Sequence, residues 1–144
     1  MQEAVGGFVP DGASVCMGTA LEALIPFAAG HELIRQRRRD LTLVGPISDI
    51  LFDQLVAAGY ARRIQAAWVG NVSAGLGHNS QRALEHGVPR RIAVEDHSNL
   101  TIAAALQAGT MDAWKGFLST LGPEAREAVR VKTPRLSEPL DYGA

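Results

Sequence analysis

Four times within the first 110 residues, a short apolar run is followed by a longer segment of helical period. No other feature restricts the fold as much, because connections of this length make crossovers between parallel strands rather than hairpins. The runs predict strands at 14–17, 41–44, 64–69 and 92–94. The first is entered from the turn Pro10-Asp11-Gly12 and left at Gly18-Thr19. Its helix is expected from Pro26, a good first helical residue because it has no N–H to leave unpaired, to about Arg38. Gly30 lowers helix propensity there but lets a neighbour pack closely. The second run is apolar throughout, as suits a central strand covered on both faces, and Pro46 is expected to end it. Ser48 is placed to cap the next helix, whose apolar stripe is Ile50, Leu51, Leu55 and Val56 and whose end is Gly59. The third strand opens into a loop over 70–79 and a short helix over 80–86, closed by Gly87 and Pro89. The fourth leads to a loop at Glu95-Asp96-His97-Ser98 and a helix that ends at Gly109.

Taken together, these units predict an α/β fold, a Rossmann-like three-layer parallel sheet with crossover helices. Parallel strands send all their strand-to-helix loops to one edge, so 18–19, 46–49, 70–79 and 95–99 should converge. Glycines that admit a ligand to the backbone, polar side chains and helix N-termini in these loops suit a small anionic ligand. Other readings compete for the same residues. Gly75-Leu76-Gly77 followed by Ser80 half resembles a dinucleotide fingerprint but follows the third strand rather than the first. Glu95, at a strand end, can face a substrate or cap the next helix, and His97 and Ser98 can equally satisfy local backbone donors. His31 and His86 fall within helices and read as surface or packing residues. The four histidines have no close ligand spacing and Cys16 is the only cysteine, so neither a metal site nor an internal disulfide is expected. No Gly-x-Ser-x-Gly elbow is present, which argues against a serine hydrolase.

Composition narrows the partners. With 144 residues, 47% hydrophobic and 20% charged, the chain can bury one sizeable core. A net charge of -1 offers no nucleic-acid or membrane footprint, and the run from Arg35 to Arg39 reads as a solvated helix end. No apolar run reaches a membrane-spanning length and the N-terminal residues lack a signal-peptide layout, so the chain is expected to be cytoplasmic.

Several ordered segments carry a resemblance. They are Val9-Pro10-Asp11-Gly12, Ile25-Pro26-Phe27-Ala28-Ala29-Gly30-His31-Glu32-Leu33-Ile34-Arg35, Asp40-Leu41-Thr42-Leu43-Val44, Asp53-Gln54-Leu55-Val56-Ala57-Ala58-Gly59 and Val94-Glu95-Asp96-His97-Ser98, with Gly70-Asn71 and Glu85-His86-Gly87 between them. Over about residues 9–110 the chain resembles the N-terminal part of the alpha subunit of family I coenzyme A-transferases of the glutaconate CoA-transferase type. The resemblance implies transfer of CoA from an acyl-CoA donor to a carboxylic acid, with the CoA thioester as substrate and no permanently bound cofactor. It also implies a beta subunit, whose glutamate attacks the thioester to give an acyl-glutamyl anhydride and then a glutamyl-CoA thioester. That chemistry needs a partly desolvated carboxylate and N–H donors for the oxyanion. On this chain the resemblance assigns acyl or CoA positioning to Gly18 and Thr19, to Asn71, Gly75, Gly77 and His78, and to His97, Ser98 and Asn99. Glu95 is a secondary catalytic candidate, since hydrolase relatives place a catalytic acid of this subunit near that segment.

Residues 111–144 do not resemble the family's continuation, so the sequence predicts a domain over 1–110, apparently truncated, and a divergent helical and loosely ordered tail over 111–144. The isolated chain is accordingly expected to be inactive. In the tail, Trp114, Phe117, Leu118 and Leu121 form an apolar stripe at helical spacing, which predicts packing on the domain or on a second subunit, and hence an oligomer. The alternatives are an acyl-CoA hydrolase subunit, a non-catalytic ligand-binding or regulatory module of the same fold, and a sugar-phosphate enzyme, for which no obvious phosphate cradle or acid–base pair is present.

Overall fold

The computed structural model describes residues 1–17, 24–48, 50–71 and 75–120, with the side chains of 48, 71 and 110–120 outside that description. The chain separates into two compact units, Met1–Ala103 and Ala104–Ala144. In order, the elements are α1 (Gln2–Phe8), β1 (Ser14–Cys16), α2 (Phe27–Arg35), β2 (Leu41–Ser48), α3 (Ile50–Ala57), β3 (Ala61–Asn71), β4 (Gly75–Leu76), α4 (His78–His86), β5 (Ala93–Asp96) and α5 (Asn99–Thr120). The described part of the second unit is the helical stretch that ends at Thr120.

The predicted parallel sheet is present. β1 pairs with β2, β2 with β3 and β3 with β5, all parallel, and β4 adds a short antiparallel hairpin to β3. Spatial order follows chain order, so right-handed crossovers place α2, α3 and α4 on one face, consistent with the packing of α3 on both its neighbours. That face holds the core: Leu33 of α2, Leu43 of β2, Ile64 of β3, and Leu51, Phe52, Leu55 and Val56 of α3 are all buried. On the opposite face Thr42 is buried near the middle, whereas Ser14, Cys16, Arg63 and Glu95 are exposed. β2 is thus central, as its apolar run requires. Gly30 makes the expected close approach, since a Cβ there would lie 2.4 Å from Leu51 Cδ1.

Several boundaries differ from the sequence reading, each for a local reason. Pro46 does not end β2: Gly45 and Ile47 on either side of it pair with Ala66 and Trp68 of β3, and among the described residues the β1–β2 pairs stop at Cys16↔Val44, so none of them needs an N–H from Pro46. β3 runs from Ala61 to Asn71, well beyond the predicted 64–69, because β2 pairs with it as far as Ser48↔Val69. Pro26 is the N-cap of α2 rather than its first residue, and its carbonyl accepts the amides of Ala29 and Gly30. α2 stops at Arg35 because Arg37 takes a left-handed conformation at φ 56, with its amide on Ile34 and that of Arg38 on Leu33. Gly59 closes α3 in the same way at φ 76. Glu95 and Asp96, expected in a loop, are the last residues of β5. Gly109 does not end α5; a glycine costs a helix only about 1 kcal/mol relative to alanine and does not break it. The sequence reading missed α1 and β4. α1 is held by Gln36 and Arg38, whose side chains donate to the carbonyls of Gln2 and Gly6, and it buries Val5.

Gly18, Thr19 and Leu121 lie outside the described residues, as do the side chains of Ser48, Asn71, Trp114, Phe117 and Leu118, and the roles predicted for them lie outside with them. No helix among the described residues is long and apolar enough to cross a membrane.

Candidate functional site

Among the described residues, β2 and β3 outrun their neighbours at the C-terminal edge of the sheet. There β1 pairs as far as Val44 and β5 as far as Ala66, while the two central strands continue to Ser48 and Val69. Those predicted site residues that are described fall on the two faces of the resulting step.

On one face, register sets Gln65 of β3 beside Glu95 of β5, with Arg63 two residues back and therefore on the same side. Gln65 Nε2 donates to Glu95 Oε2 at 2.7 Å, and Arg63 Nη1 lies 3.9 Å from the same oxygen. His97 Nε2 lies 3.2 Å from Glu95 Oε1, and its Nδ1 lies 3.4 Å from Thr101 Oγ1. Ser98 caps α5: its Oγ accepts the Thr101 amide at 3.1 Å, while Thr101 Oγ1 accepts the Ser98 amide at 2.8 Å. This is a reciprocal cap in which threonine takes the place usually held by glutamate or glutamine. The hydrogen bond from Gln65 holds the Glu95 carboxyl below its ordinary 4.5; partial desolvation opposes this, and His97 and Arg63 add to the lowering. Glu95 is therefore ionised at neutral pH, able to accept a proton or orient a cationic or hydrogen-bonding group but not to act as an acid. Asn99 follows as the first, exposed residue of α5. Sequence reasoning found Glu95, His97 and Ser98 but missed Gln65, Arg63 and Thr101.

On the other face, Asp53 governs the start of α4. Its buried carboxylate accepts the Ser80 amide at 2.7 Å and hydroxyl at 2.9 Å on Oδ1, and the Asn79 side-chain amide at 2.7 Å and backbone amide at 3.3 Å on Oδ2. Gly77 permits this approach, since a Cβ there would stand 2.5 Å from Asp53 Oδ1. The N-terminus of α4, read from sequence as suited to an anionic ligand, thus already has a carboxylate from within the chain. His78 is exposed at the first position of α4, and Gly75 takes φ 87 in the hairpin that β4 makes with β3, whose last residue is Asn71.

Between α4 and the shortened β5 lies an open cleft of about 310 Å³, walled by Ile64, Ala66 and Trp68 of β3, Leu84 of α4, and Val94 and Asp96 of β5. Glu95 alternates with Val94 and Asp96 along β5, so its side chain leaves the opposite face. No group of three or more His, Cys, Asp or Glu able to hold a metal occurs among the described residues. Cys16 is a free thiol whose pKa is raised by partial burial, and it is protonated at neutral pH.

Comparison with known proteins shows that the chain is CoA-transferase alpha-subunit-like. It is 39% identical over 109 residues to the A subunit of 3-oxoadipate CoA-transferase from Pseudomonas knackmussii, covering 76% of this chain and 38% of that protein. An uncharacterized protein of Archaeoglobus fulgidus is 31% identical over 111 residues, covering 76% of this chain and 24% of its own length. Among solved structures, a variant of the decarboxylase AibA/AibB superposes with a TM-score of 0.68 at 31% identity, covering 77% of this chain and 42% of that one. Glutaconate CoA-transferase from Acidaminococcus fermentans superposes with a TM-score of 0.63 at 25% identity, covering 74% and 34%. The chain therefore spans less than half the length of each of these relatives. No family model matches it.

Proposed function

We propose that this chain serves as the alpha subunit of a CoA-transferase, forming part of the wall around the acyl-CoA and the acceptor carboxylate, with the attacking glutamate supplied by a beta subunit. The observation that carries this reading is the Glu95 cluster at the strand ends of a chain 39% identical to the A subunit of a CoA-transferase. Glu95 is a poor nucleophile where it stands. Gln65, His97 and Arg63 all draw on its charge, and a carboxylate with lowered basicity attacks a thioester more slowly. Its role is to orient: a fixed anion with a histidine beside it positions the polar part of a substrate while a second carboxylate does the chemistry.

In that chemistry the beta subunit's carboxylate adds to the thioester carbonyl, the C–S bond breaks and CoA leaves as the thiolate. The thiolate then attacks the enzyme-side carbonyl of the anhydride, releasing the first acid and leaving a glutamyl-CoA thioester. The acceptor acid reverses the two steps. No cofactor is consumed.

The test is CoA exchange between an acyl-CoA and a free carboxylate, measured on the chain alone and on the complex that co-purifies with it. The expected result is exchange in a complex with a second subunit, with none from the chain alone. Turnover by the isolated chain that disappears in Glu95→Gln would overturn the assignment and make Glu95 the catalytic group; release of free acid without exchange would make that activity a hydrolase.

A further inference from the structure

We propose that the cleft between β3, α4 and β5 receives the acyl group of the thioester, and that the acyl group it accepts is aliphatic and uncharged. This rests on the CoA-transferase reading and adds to it the class of substrate.

Three features of the cleft point this way. Its walls are mostly apolar: Ile64, Ala66 and Trp68 present one face of β3, Val94 lies beside Ile64 on β5, and Leu84 comes from α4. The Trp68 wall is held in place, because a Cβ on buried Gly70 would meet the indole at 2.8 Å and the carbonyl of Gly75 at 2.5 Å, so the ring and the hairpin both close onto that glycine. Its size, about 310 Å³, lies at the small end of the range for ligand pockets and suits a short chain rather than a whole coenzyme.

The third feature is charge. The ionisable side chains that line the cleft are Glu85 and Asp96, and no lysine, arginine or histidine lines it among the described residues. Glu85 accepts a hydrogen bond from Gln81 at 3.0 Å and lies 3.7 Å from His86 Nε2, but both residues of that pair are well exposed and His86 is outside the cleft. A dicarboxylic acyl group, such as those in the names of the 3-oxoadipate and glutaconate enzymes, would bring its free carboxylate among these two anions with no cation to receive it. An uncharged chain buries its methylenes against Trp68 and Leu84 at no such cost.

The experiment is calorimetric titration of the full chain with hexanoyl-CoA, glutaryl-CoA and free CoA. Hexanoyl-CoA should bind at least about tenfold more tightly than glutaryl-CoA or free CoA. Leu84→Glu, at a position already 40% exposed and therefore outside the core, should reduce hexanoyl-CoA to the level of free CoA. Asp96→Asn should narrow the gap between the two thioesters. If glutaryl-CoA binds as well as hexanoyl-CoA, the uncharged-acyl assignment fails while the CoA-transferase reading stands. If none of the three binds, the acyl-cleft assignment fails, and the CoA-transferase reading is decided separately by exchange in the complex.

Discussion

The amide of Ser80 donates to Oδ1 of Asp53 at 2.7 Å, so a carboxylate in the middle of α3 caps the first turn of α4. Asp53→Ala leaves the buried Ser80 donors unpaired and releases Asn79. It should cost about 1.5–3 kcal/mol in urea-induced unfolding, the usual range for hydrogen bonds to a charged group. Asp53→Asn, which keeps one acceptor oxygen, should cost less. Gly77→Ala should also destabilise, and its effect should add less than fully to that of Asp53→Ala, because both disturb the same cap. An Asp53→Ala variant as stable as the parent would show that the cap contributes nothing.

Gly30 is set against Leu51, itself only 2% exposed. Alanine usually strengthens a helix by up to about 1 kcal/mol over glycine. Here the added methyl would stand 2.8 Å from Leu51 Cγ as well as near both terminal methyls, so rotation of the leucine end cannot clear it. Gly30→Ala should therefore lower the thermal midpoint, with a net loss of about 1–3 kcal/mol. Any gain in stability would mean that α2 and α3 move apart freely.

Arg37 occupies the left-handed position after α2 that glycine normally fills. Relieving that conformation should favour Arg37→Gly by about 1 kcal/mol, reduced by the greater freedom glycine has in the unfolded chain. Guanidinium melts should show a small rise in midpoint at unchanged slope; a fall would mean that the arginine side chain contributes more than its backbone costs.

The pH dependence of Glu95 follows from its neighbours. Its folded pKa lies below the ordinary 4.5, so its ionised form stabilises the fold above that pH, and the contribution fades as pH falls through the lowered value. Gln65→Leu removes the first cause of the shift and should move the Glu95 carboxyl resonance to titrate at higher pH in a carbon-detected NMR series. Titration at an unchanged pH would remove Gln65 from the cluster.

The parallel sheet was legible because period and spacing are properties of the sequence itself. The strand limits were less so, since the length of β3 depends on how far β2 keeps beside it and the tolerance of Pro46 depends on which strand borders it. Glu95 could be found because it follows a short apolar run. Gln65 and Arg63 could not, because what brings them to Glu95 is the β3–β5 register, across 30 residues of chain. Asp53 did carry a signal: a lone carboxylate between Phe52 and Leu55, within a helix whose other buried residues are apolar, must find partners if it is buried.

The strand order has a consequence for how the molecule is made. Each parallel strand is laid beside the one synthesised just before it, and α2, α3 and α4 each join neighbouring parallel strands. Among the described strands, no early one has to wait for a distant one to fill a gap. The sheet can therefore grow as the chain leaves the ribosome, with β1 and β2 joined before β5 exists, and the loop closures needed stay short.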